Sequence, residues 1–102
     1  LVMVGLDVTT RVIMGDGYLE EIGRRGGRGG ELIRQIVPCY QRFHREAHGI
    51  AGIYTHDPCA VAYAVRPELF QADTYPVSVV TSGLATGQVI VDRERRFFRE
   101  TP

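Results

Sequence analysis

The pair His56-Asp57, followed by Pro58, is the densest group of side chains in the sequence that could do chemistry. An imidazole and a carboxylate at one point permit acid–base catalysis, and the first backbone N–H groups of a helix offer further donors. Aspartate is also a favoured N-cap, and proline is favoured at the first helical position. The spacing alone favours this simpler interpretation, an N-cap at Asp57 with a neighbouring surface histidine, and leaves the acid–base site as the alternative.

Two further histidines and two cysteines are candidates for a metal site or a nucleophile. His44 and His48 stand four residues apart, so they share one face of a helix and could bind a metal. The zinc-protease pattern requires Glu directly after the first His, and that position is Arg45. With Cys39 as the only nearby thiol, the pattern favours a solvated or core-edge histidine pair. Cys59 lies in an apolar segment that is typical of a small buried cysteine.

Asp7 is a candidate ligand-binding residue because of what precedes it. The apolar run Leu1–Leu6 has the form of a strand buried on both faces of a parallel sheet. Open α/β sheets bind ligands at the carboxyl ends of such strands. Asp7 could bind a ligand there or cap the turn over residues 7–10, and the residues alone leave both interpretations open.

The run from Gly23 to Gly30 contains five glycines and three arginines. Because glycine disfavours helix and strand interiors, this composition predicts a flexible loop over residues 23–30. The alternative is an RNA-binding segment that uses Arg24, Arg25 and Arg28. The run is neither repeated nor interleaved with aromatic residues, and the chain has a formal net charge of zero, so nucleic-acid binding is disfavoured.

The hydropathy pattern predicts a strand, several helices and then an antiparallel strand pair, which is an α/β arrangement. The first predicted elements are the strand Leu1–Leu6 and a helix over residues 16–22. A longer helix is predicted from Glu31 to about Ala47, kinked at Pro38 and ended by Gly49. A helix from Asp57 to Val65, ended by Arg66-Pro67, and strands over residues 75–81 and 88–92 follow. Residues 93–102 form a charged tail.

The composition excludes several classes of protein. The chain has 102 residues, enough for one domain, and its hydrophobic content of 44% excludes a disordered chain. Its longest apolar run, Cys59–Val65, is far shorter than the ~20 residues of a membrane-spanning helix. Two cysteines are too few for a disulfide scaffold and fit a reducing compartment, so we expect a cytoplasmic protein. Because Leu1 falls inside a predicted strand, we expect residues 1–102 to be part of a longer protein.

Four stretches resemble, in order, the C-terminal third of the inosine–uridine-preferring nucleoside hydrolases. The resemblance extends from Leu1 to about Arg96, and its specific parts are the Gly-Leu-Asp-Val-Thr and His-Asp-Pro motifs at their separation. The stretches are Val4–Thr9, Thr55–Ala62, Pro67–Phe70 and Gly87–Asp92. The resemblance implies the C-terminal part of a doubly wound α/β fold, and it favours the catalytic interpretation of His56-Asp57.

The resemblance also implies a calcium-dependent hydrolysis of the N-glycosidic bond of ribonucleosides, with His56 protonating the leaving base and Asp57 ligating Ca²⁺ below the ribose. The chemistry is consistent, because bond cleavage builds negative charge on the base and calcium prefers carboxylate oxygens. The family is further expected to form homo-oligomers, with no membrane partner.

The chain lacks the Asp-rich motif (Asp-Thr-Asp-x-Gly-x-Asp-Asp) and the ribose-binding Asn and Glu side chains that the family carries elsewhere. One carboxylate cannot supply the 6–8 oxygen ligands of calcium. We therefore predict that the 102-residue chain by itself neither binds calcium tightly nor hydrolyses nucleosides. The alternative is a small non-enzymatic module, for nucleic acid or for assembly, that uses the Gly/Arg-rich segment.

Overall fold

The computed structural model describes residues 1–97. The chain divides into two compact units, Leu1–Leu69 and Phe70–Pro102. The first unit contains α1 (Leu6–Thr9), β1 (Ile13–Gly15), α2 (Asp16–Arg25), α3 (Gly27–His48), β2 (Gly52–Tyr54), α4 (His56–Val65) and a 3-10 turn at Pro67–Leu69. The second unit contains β3 (Val77–Val79) and β4 (Val89–Val91). This combination of helices and antiparallel strand pairs agrees with the predicted α/β class.

The strands β1 and β2 form an antiparallel pair that the sequence pattern did not predict. Ile13 pairs with Tyr54, and Gly15 pairs with Gly52. The two backbones approach closely at Gly52, where a Cβ atom would collide with the carbonyl oxygen of Met14. Glycine is therefore required at this position for the two strands to meet.

Hydrogen bonds continue this pairing toward the start of α4. The Thr55 backbone N–H donates to the Val12 carbonyl oxygen at 3.3 Å, and the Thr55 hydroxyl donates to the same oxygen at 3.1 Å. These two bonds join the segment after α1 to the residue before α4. The short helix α1 and the helix α4 consequently lie in contact.

The Gly/Arg-rich run forms a tight junction between two helices, so the predicted loop over residues 23–30 is wrong. Helix α2 continues to Arg25, and α3 begins at Gly27. A Cβ atom on Gly30 would lie 2.6 Å from the Gly23 carbonyl oxygen and 2.8 Å from that of Ile22. The glycines therefore permit a close helix crossing, and this packing outweighs their low helix propensity.

The long helix α3 ends as predicted. Gly49 adopts the left-handed conformation with φ of 66°, and its N–H donates to the Arg45 carbonyl oxygen at 3.0 Å. This is the usual C-terminal cap, which a glycine forms without steric cost. The helix begins at Gly27, earlier than the predicted Glu31, and it continues through Pro38. The kink at Pro38 stays a prediction.

The predicted buried strand Leu1–Leu6 is wrong. Residues 1–5 form no strand, and Leu1, Val2 and Met3 are exposed. A buried strand requires neighbouring strands on its hydrogen-bonding edges, and within residues 1–97 β1 pairs only with β2, and β3 only with β4. The predicted turn over residues 7–10 is likewise mostly helical, because α1 spans Leu6–Thr9. The buried apolar side chains among the described residues are Leu19, Ile53 and Cys59.

The second unit contains the predicted strand pair, with shorter strands than expected. Val77 pairs with Val91, and Val79 pairs with Val89. After β4, the buried Asp92 carboxylate accepts hydrogen bonds from the backbone N–H groups of Arg96 at 3.1 Å and Phe97 at 2.7 Å. Residues 93–97 of the predicted charged tail are thus anchored at Asp92, whereas residues 98–102 lie outside the described residues.

Within residues 1–97, no helix is both long enough and apolar enough to cross a membrane.

Candidate active site

The candidate site lies at the N-terminus of α4. His56 is the first residue of this helix, and Thr55 occupies the N-cap position. The prediction of an N-cap at Asp57 is therefore wrong, because the helix begins one residue before it. The buried Thr55 hydroxyl makes no capping bond; it donates to Val12 instead and lies 3.6 Å from the Cys59 sulfur. Asp57 lies in the first turn, where the helix dipole favours a carboxylate.

The His56 side chain is held by a contact with α1. Thr9 Oγ1 lies 2.7 Å from His56 Nδ1, and Thr9 is only 1% exposed. His56 itself is half-buried. This bond joins the stretch Val4–Thr9 to the stretch Thr55–Ala62, which are far apart in sequence. Nδ1 is therefore engaged by Thr9, and Nε2 takes no part in this contact.

A cluster of aromatic and histidine rings adjoins His56. The His56 ring lies 5.8 Å from the Tyr54 ring, which in turn lies 5.3 Å from His44 and 5.4 Å from His48. His44 also contacts Tyr40, with ring centroids 4.2 Å apart in an edge-to-face arrangement. The site histidine therefore lies at one end of a continuous set of ring contacts.

The pair His44 and His48 forms the core-edge arrangement that the sequence favoured over a metal site. His44 is 1% exposed, and its Nδ1 donates to the Tyr40 carbonyl oxygen at 2.9 Å. His48 is exposed, and the two ring centroids are 5.6 Å apart. Over residues 1–97, no group of three or more His, Cys, Asp or Glu residues is arranged to hold a metal.

The lack of a metal-binding cluster over residues 1–97 also bears on the predicted calcium ligand Asp57. Calcium takes six to eight oxygen ligands, whereas Asp57 is an exposed carboxylate outside any such cluster in the described part of the chain. The described residues therefore do not form a calcium site. Asp57 is placed beside His56, as their adjacency requires, and its side chain is open to solvent.

The remaining candidates fall outside this site. Asp7 is exposed in the first turn of α1, and no hydrogen bond between described residues joins it to α4. Cys59 is buried, as predicted, and Cys39 is an exposed free thiol. A groove of about 560 Å³ lies between α2 and α3. Its lining includes Leu19, Ile33 and Val37, and it does not include His56 or Asp57.

Thr9 is the site residue for which the sequence pattern predicted no role. Its only sequence signal is its position as the last residue of a stretch, Val4–Thr9, that carried the family resemblance. The contact with His56 depends on the pairing of β1 with β2, which brings α1 to the start of α4. Since that pairing was not predicted, neither was the role of Thr9.

Comparison with known proteins identifies a family. The family described as "Inosine-uridine preferring nucleoside hydrolase" matches residues 1–102. Uridine nucleosidase 1 from Arabidopsis thaliana is 32% identical over 93 residues, which cover 91% of this chain and 28% of that protein. The inosine-uridine preferring nucleoside hydrolase from Leishmania major is 32% identical over 91 residues, which cover 88% of this chain and 29% of that protein.

A solved structure gives the same result for the fold. The plant nucleoside hydrolase PpNRh1 superimposes with a TM-score of 0.84 at 29% sequence identity. The match covers 97% of this chain and 31% of that structure. The chain therefore spans less than a third of the length of the relatives it matches.

Proposed function

The chain belongs to the inosine-uridine preferring nucleoside hydrolase family, and from this premise we propose that it supplies the leaving-group side of a pocket that hydrolyses the N-glycosidic bond of ribonucleosides. The contact between Thr9 Oγ1 and His56 Nδ1 carries the proposal. It fixes an imidazole at the point where the two most specific family-like stretches meet. The names of the relatives, which refer to uridine and inosine, support ribonucleosides as the substrate class.

His56 is the proton donor in this proposal. When the bond between ribose C1′ and the base nitrogen breaks, the electron pair leaves with the base, and positive charge develops on the ribose. In its imidazolium form, His56 would transfer the proton on Nε2 to that electron pair, which leaves a neutral imidazole, prevents negative charge from building up on the base and so lowers the barrier. Water then adds its oxygen to C1′ and releases one proton to the solvent, and His56 later takes up a proton from the solvent; the products are the free base and ribose. The half-buried position of His56 suits this role, because partial burial limits competition from solvent.

Asp57 has a supporting role in the proposal. We propose that it contributes one carboxylate to a calcium site whose other ligands lie outside the described residues of this chain. An exposed aspartate in the first turn of α4 can turn toward such a site without breaking any hydrogen bond that holds the fold together. Since the described residues do not complete the site, we propose that the chain is active only as part of a larger pocket.

A chimeric enzyme tests the proposal. Residues 1–97 replace the matching segment of Arabidopsis uridine nucleosidase 1, and base release from uridine and inosine is measured. We expect the chimera to hydrolyse at least one of these nucleosides and His56→Ala to lower kcat by about 10²- to 10⁴-fold. His48→Ala is the matched control, because this exposed histidine lies at the end of α3, and it should change kcat little. Equal rates for the folded His56→Ala and His48→Ala chimeras would contradict the role of His56.

Location and assembly are part of the same proposal. We propose that the protein acts in the cytoplasm as a homo-oligomer. Both cysteines are free, which is consistent with a reducing compartment. A row of large apolar side chains on α3 is exposed, and such rows favour association; it consists of Leu32, Ile36, Tyr40 and Phe43. Analytical ultracentrifugation of the purified chain tests the oligomer, and a single monomeric species would contradict it.

The alternative of a nucleic-acid module depended on a flexible Gly/Arg-rich segment. That segment is helical on both sides of Gly26, and a Cβ atom on Gly26 or Gly30 would collide with backbone atoms at the helix junction. Arg25 is moreover paired with Glu21 at 3.1 Å on the same helix. The flexible segment that this alternative assumed is therefore a helix junction instead.

A further inference from the structure

We propose that Thr9 is a positioning residue for His56, holding the neutral imidazole in the tautomer that carries its hydrogen on Nε2. The contact between Thr9 Oγ1 and His56 Nδ1, at 2.7 Å, is the basis of this inference. Its meaning for catalysis depends on the proposed function, in which Nε2 faces the departing base. The imidazolium that gives up the Nε2 proton carries a hydrogen on Nδ1 as well, and that Nδ1–H then donates to Thr9 Oγ1, so the same contact orients the ring before and after protonation. The tautomer itself does not depend on that function and can be measured separately.

The backbone around Thr9 makes it suitable as a fixed support. Its N–H donates to the Gly5 carbonyl oxygen at 3.1 Å, and its own carbonyl oxygen accepts from the Val12 N–H at 3.2 Å. Val12 in turn accepts both hydrogen bonds from Thr55, the residue directly before His56. Thr9 and His56 are therefore connected twice, through the backbone at Val12 and through their side chains.

Because the Thr9 hydroxyl is buried, it depends on the His56 imidazole for its hydrogen bond. Thr9 is almost fully buried, and a buried hydroxyl without a hydrogen-bond partner costs about 1–3 kcal/mol. Every buried side-chain polar atom of the described residues has a partner, and for Thr9 that partner is His56. Loss of the contact would therefore leave a buried polar group unsatisfied, so the ring is held against rotation.

The chemistry of a hydroxyl explains how it selects the tautomer. A threonine hydroxyl can donate one hydrogen bond and accept others, whereas a neutral imidazole has one donor and one acceptor nitrogen. Among the described residues, His56 Nδ1 is the one hydrogen-bond partner of the Thr9 hydroxyl. If the hydroxyl accepted from an Nδ1–H, its own buried hydrogen would have no acceptor. The hydroxyl therefore donates to Nδ1, and the ring hydrogen is on Nε2. Nε2 then presents an N–H to a substrate. The Tyr54 ring, tilted at 50° and 5.8 Å from the imidazole, lies beside His56 and further limits its rotation.

Long-range ¹⁵N–¹H spectroscopy of the histidine rings tests the proposal on the 102-residue chain, in a series of spectra recorded at increasing pH until the ring shifts stop changing. The two ring nitrogens of one imidazole have widely separated shifts in a single tautomer and closer shifts in a mixture. We expect a larger separation for His56, with the hydrogen on Nε2, than for exposed His48. Thr9→Val, which keeps the shape and removes the hydroxyl, should reduce the His56 separation toward that of His48.

Two further variants complete the test. Thr9→Ser keeps a hydroxyl and should restore the wild-type separation. Thr10→Val is the matched control, because the Thr10 hydroxyl bonds to the Leu6 carbonyl oxygen and not to a histidine, and it should leave the His56 shifts unchanged. An unchanged separation in folded Thr9→Val overturns the proposal. If Thr9→Val fails to fold, the wild-type spectrum decides, since a His56 ring with its hydrogen on Nδ1, or averaged as in His48, also overturns it.

These outcomes are separate from those of the chimera. An inactive, folded chimera would contradict the proposed function and leave the tautomer measurement intact. Conversely, an active chimera that loses activity in His56→Ala, together with unchanged His56 shifts in Thr9→Val, would retain the hydrolase function and exclude Thr9 as the positioning residue.

Discussion

Thr9 Oγ1 and His56 Nδ1 lie 2.7 Å apart although 47 positions separate the two residues in sequence. Between them the chain forms β1, α2, α3 and β2 before it returns to the start of α4. The antiparallel pairing of β1 with β2 brings the two ends of this segment together, since it places Val12 against Thr55. The geometry of the candidate site therefore depends on two three-residue strands.

The first prediction concerns the glycines at the junction of α2 and α3. Gly30→Ala would place a Cβ atom 2.6 Å from one backbone oxygen and 2.8 Å from another, and neither can move independently of its helix. We expect it to lower the free energy of unfolding by about 1–3 kcal/mol. Gly29→Ala is the matched control, because a Cβ atom there meets nothing within 4 Å. It should be neutral or stabilising by up to about 1 kcal/mol.

Urea denaturation of Gly30→Ala and Gly29→Ala measures the difference in their free energies of unfolding. An equal midpoint for Gly30→Ala and Gly29→Ala would show that the helices do not cross as closely as described. In that case residues 23–30 would form the flexible loop that their composition predicts.

Elements defined by local rules could be predicted from the sequence. The end of α3 at Gly49 and the end of α4 before Pro67 follow from the conformational preferences of glycine and proline, which act within one turn. The strands around Val77–Val79 and Val89–Val91 follow from β-branched residues on both sides of a connection. Each of these signals lies within a few residues of the feature it determines.

Features determined by distant partners could not be predicted. The run Leu1–Leu6 has strand composition, but no described strand lies beside it, so composition alone gave the wrong result. The glycine-rich run has loop composition, but its packing partner makes it helical. At the site, the resemblance selected His56 and Asp57, whereas Thr9 could be recognised only once the fold brought α1 to α4.

The second prediction concerns the hydrogen bond between Thr55 and Val12, which extends the pairing of β1 with β2 to the start of α4. Thr55→Val removes the buried hydroxyl that donates to the Val12 carbonyl oxygen at 3.1 Å. We expect a loss of about 0.5–1.5 kcal/mol in the free energy of unfolding, which is the usual net value of one hydrogen bond. Thr86→Val is the control, because its exposed hydroxyl bonds only within a surface turn, and it should change stability less. A Thr55→Val variant as stable as Thr86→Val would contradict the closing role of this bond.

The third prediction concerns a surface carboxylate after α4. The Arg66 guanidinium hydrogen-bonds Glu68 and lowers the pKa of its carboxyl below the ordinary value of 4.5, with a smaller contribution from the Glu68 backbone N–H. Arg66→Gln should therefore raise the pKa of Glu68, as an NMR titration of its side-chain carbonyl carbon would show. Arg24→Gln, a change at an exposed arginine of α2, should leave it unchanged.

The sign of the associated stability effect follows from the direction of the shift. A carboxyl with a folded-state pKa below its unfolded value stabilises the fold above the unfolded pKa and loses that contribution as the pH falls through the folded pKa. For Glu68 the effect should be small, because its side chain is largely solvent-exposed and surface ion pairs contribute little. A pKa for Glu68 that is the same with and without Arg66 would contradict the assigned cause.

The fourth prediction concerns calcium and catalysis by the isolated chain. Asp57 is a single exposed carboxylate outside any cluster of metal-binding side chains over residues 1–97, and calcium requires six to eight oxygens. The purified 102-residue chain should show no saturable calcium binding by calorimetry at micromolar concentrations, and Asp57→Asn should give the same trace. It should likewise release no base from uridine or inosine. Turnover by this chain, abolished by His56→Ala, would show that it forms a complete pocket, for example by association of several copies.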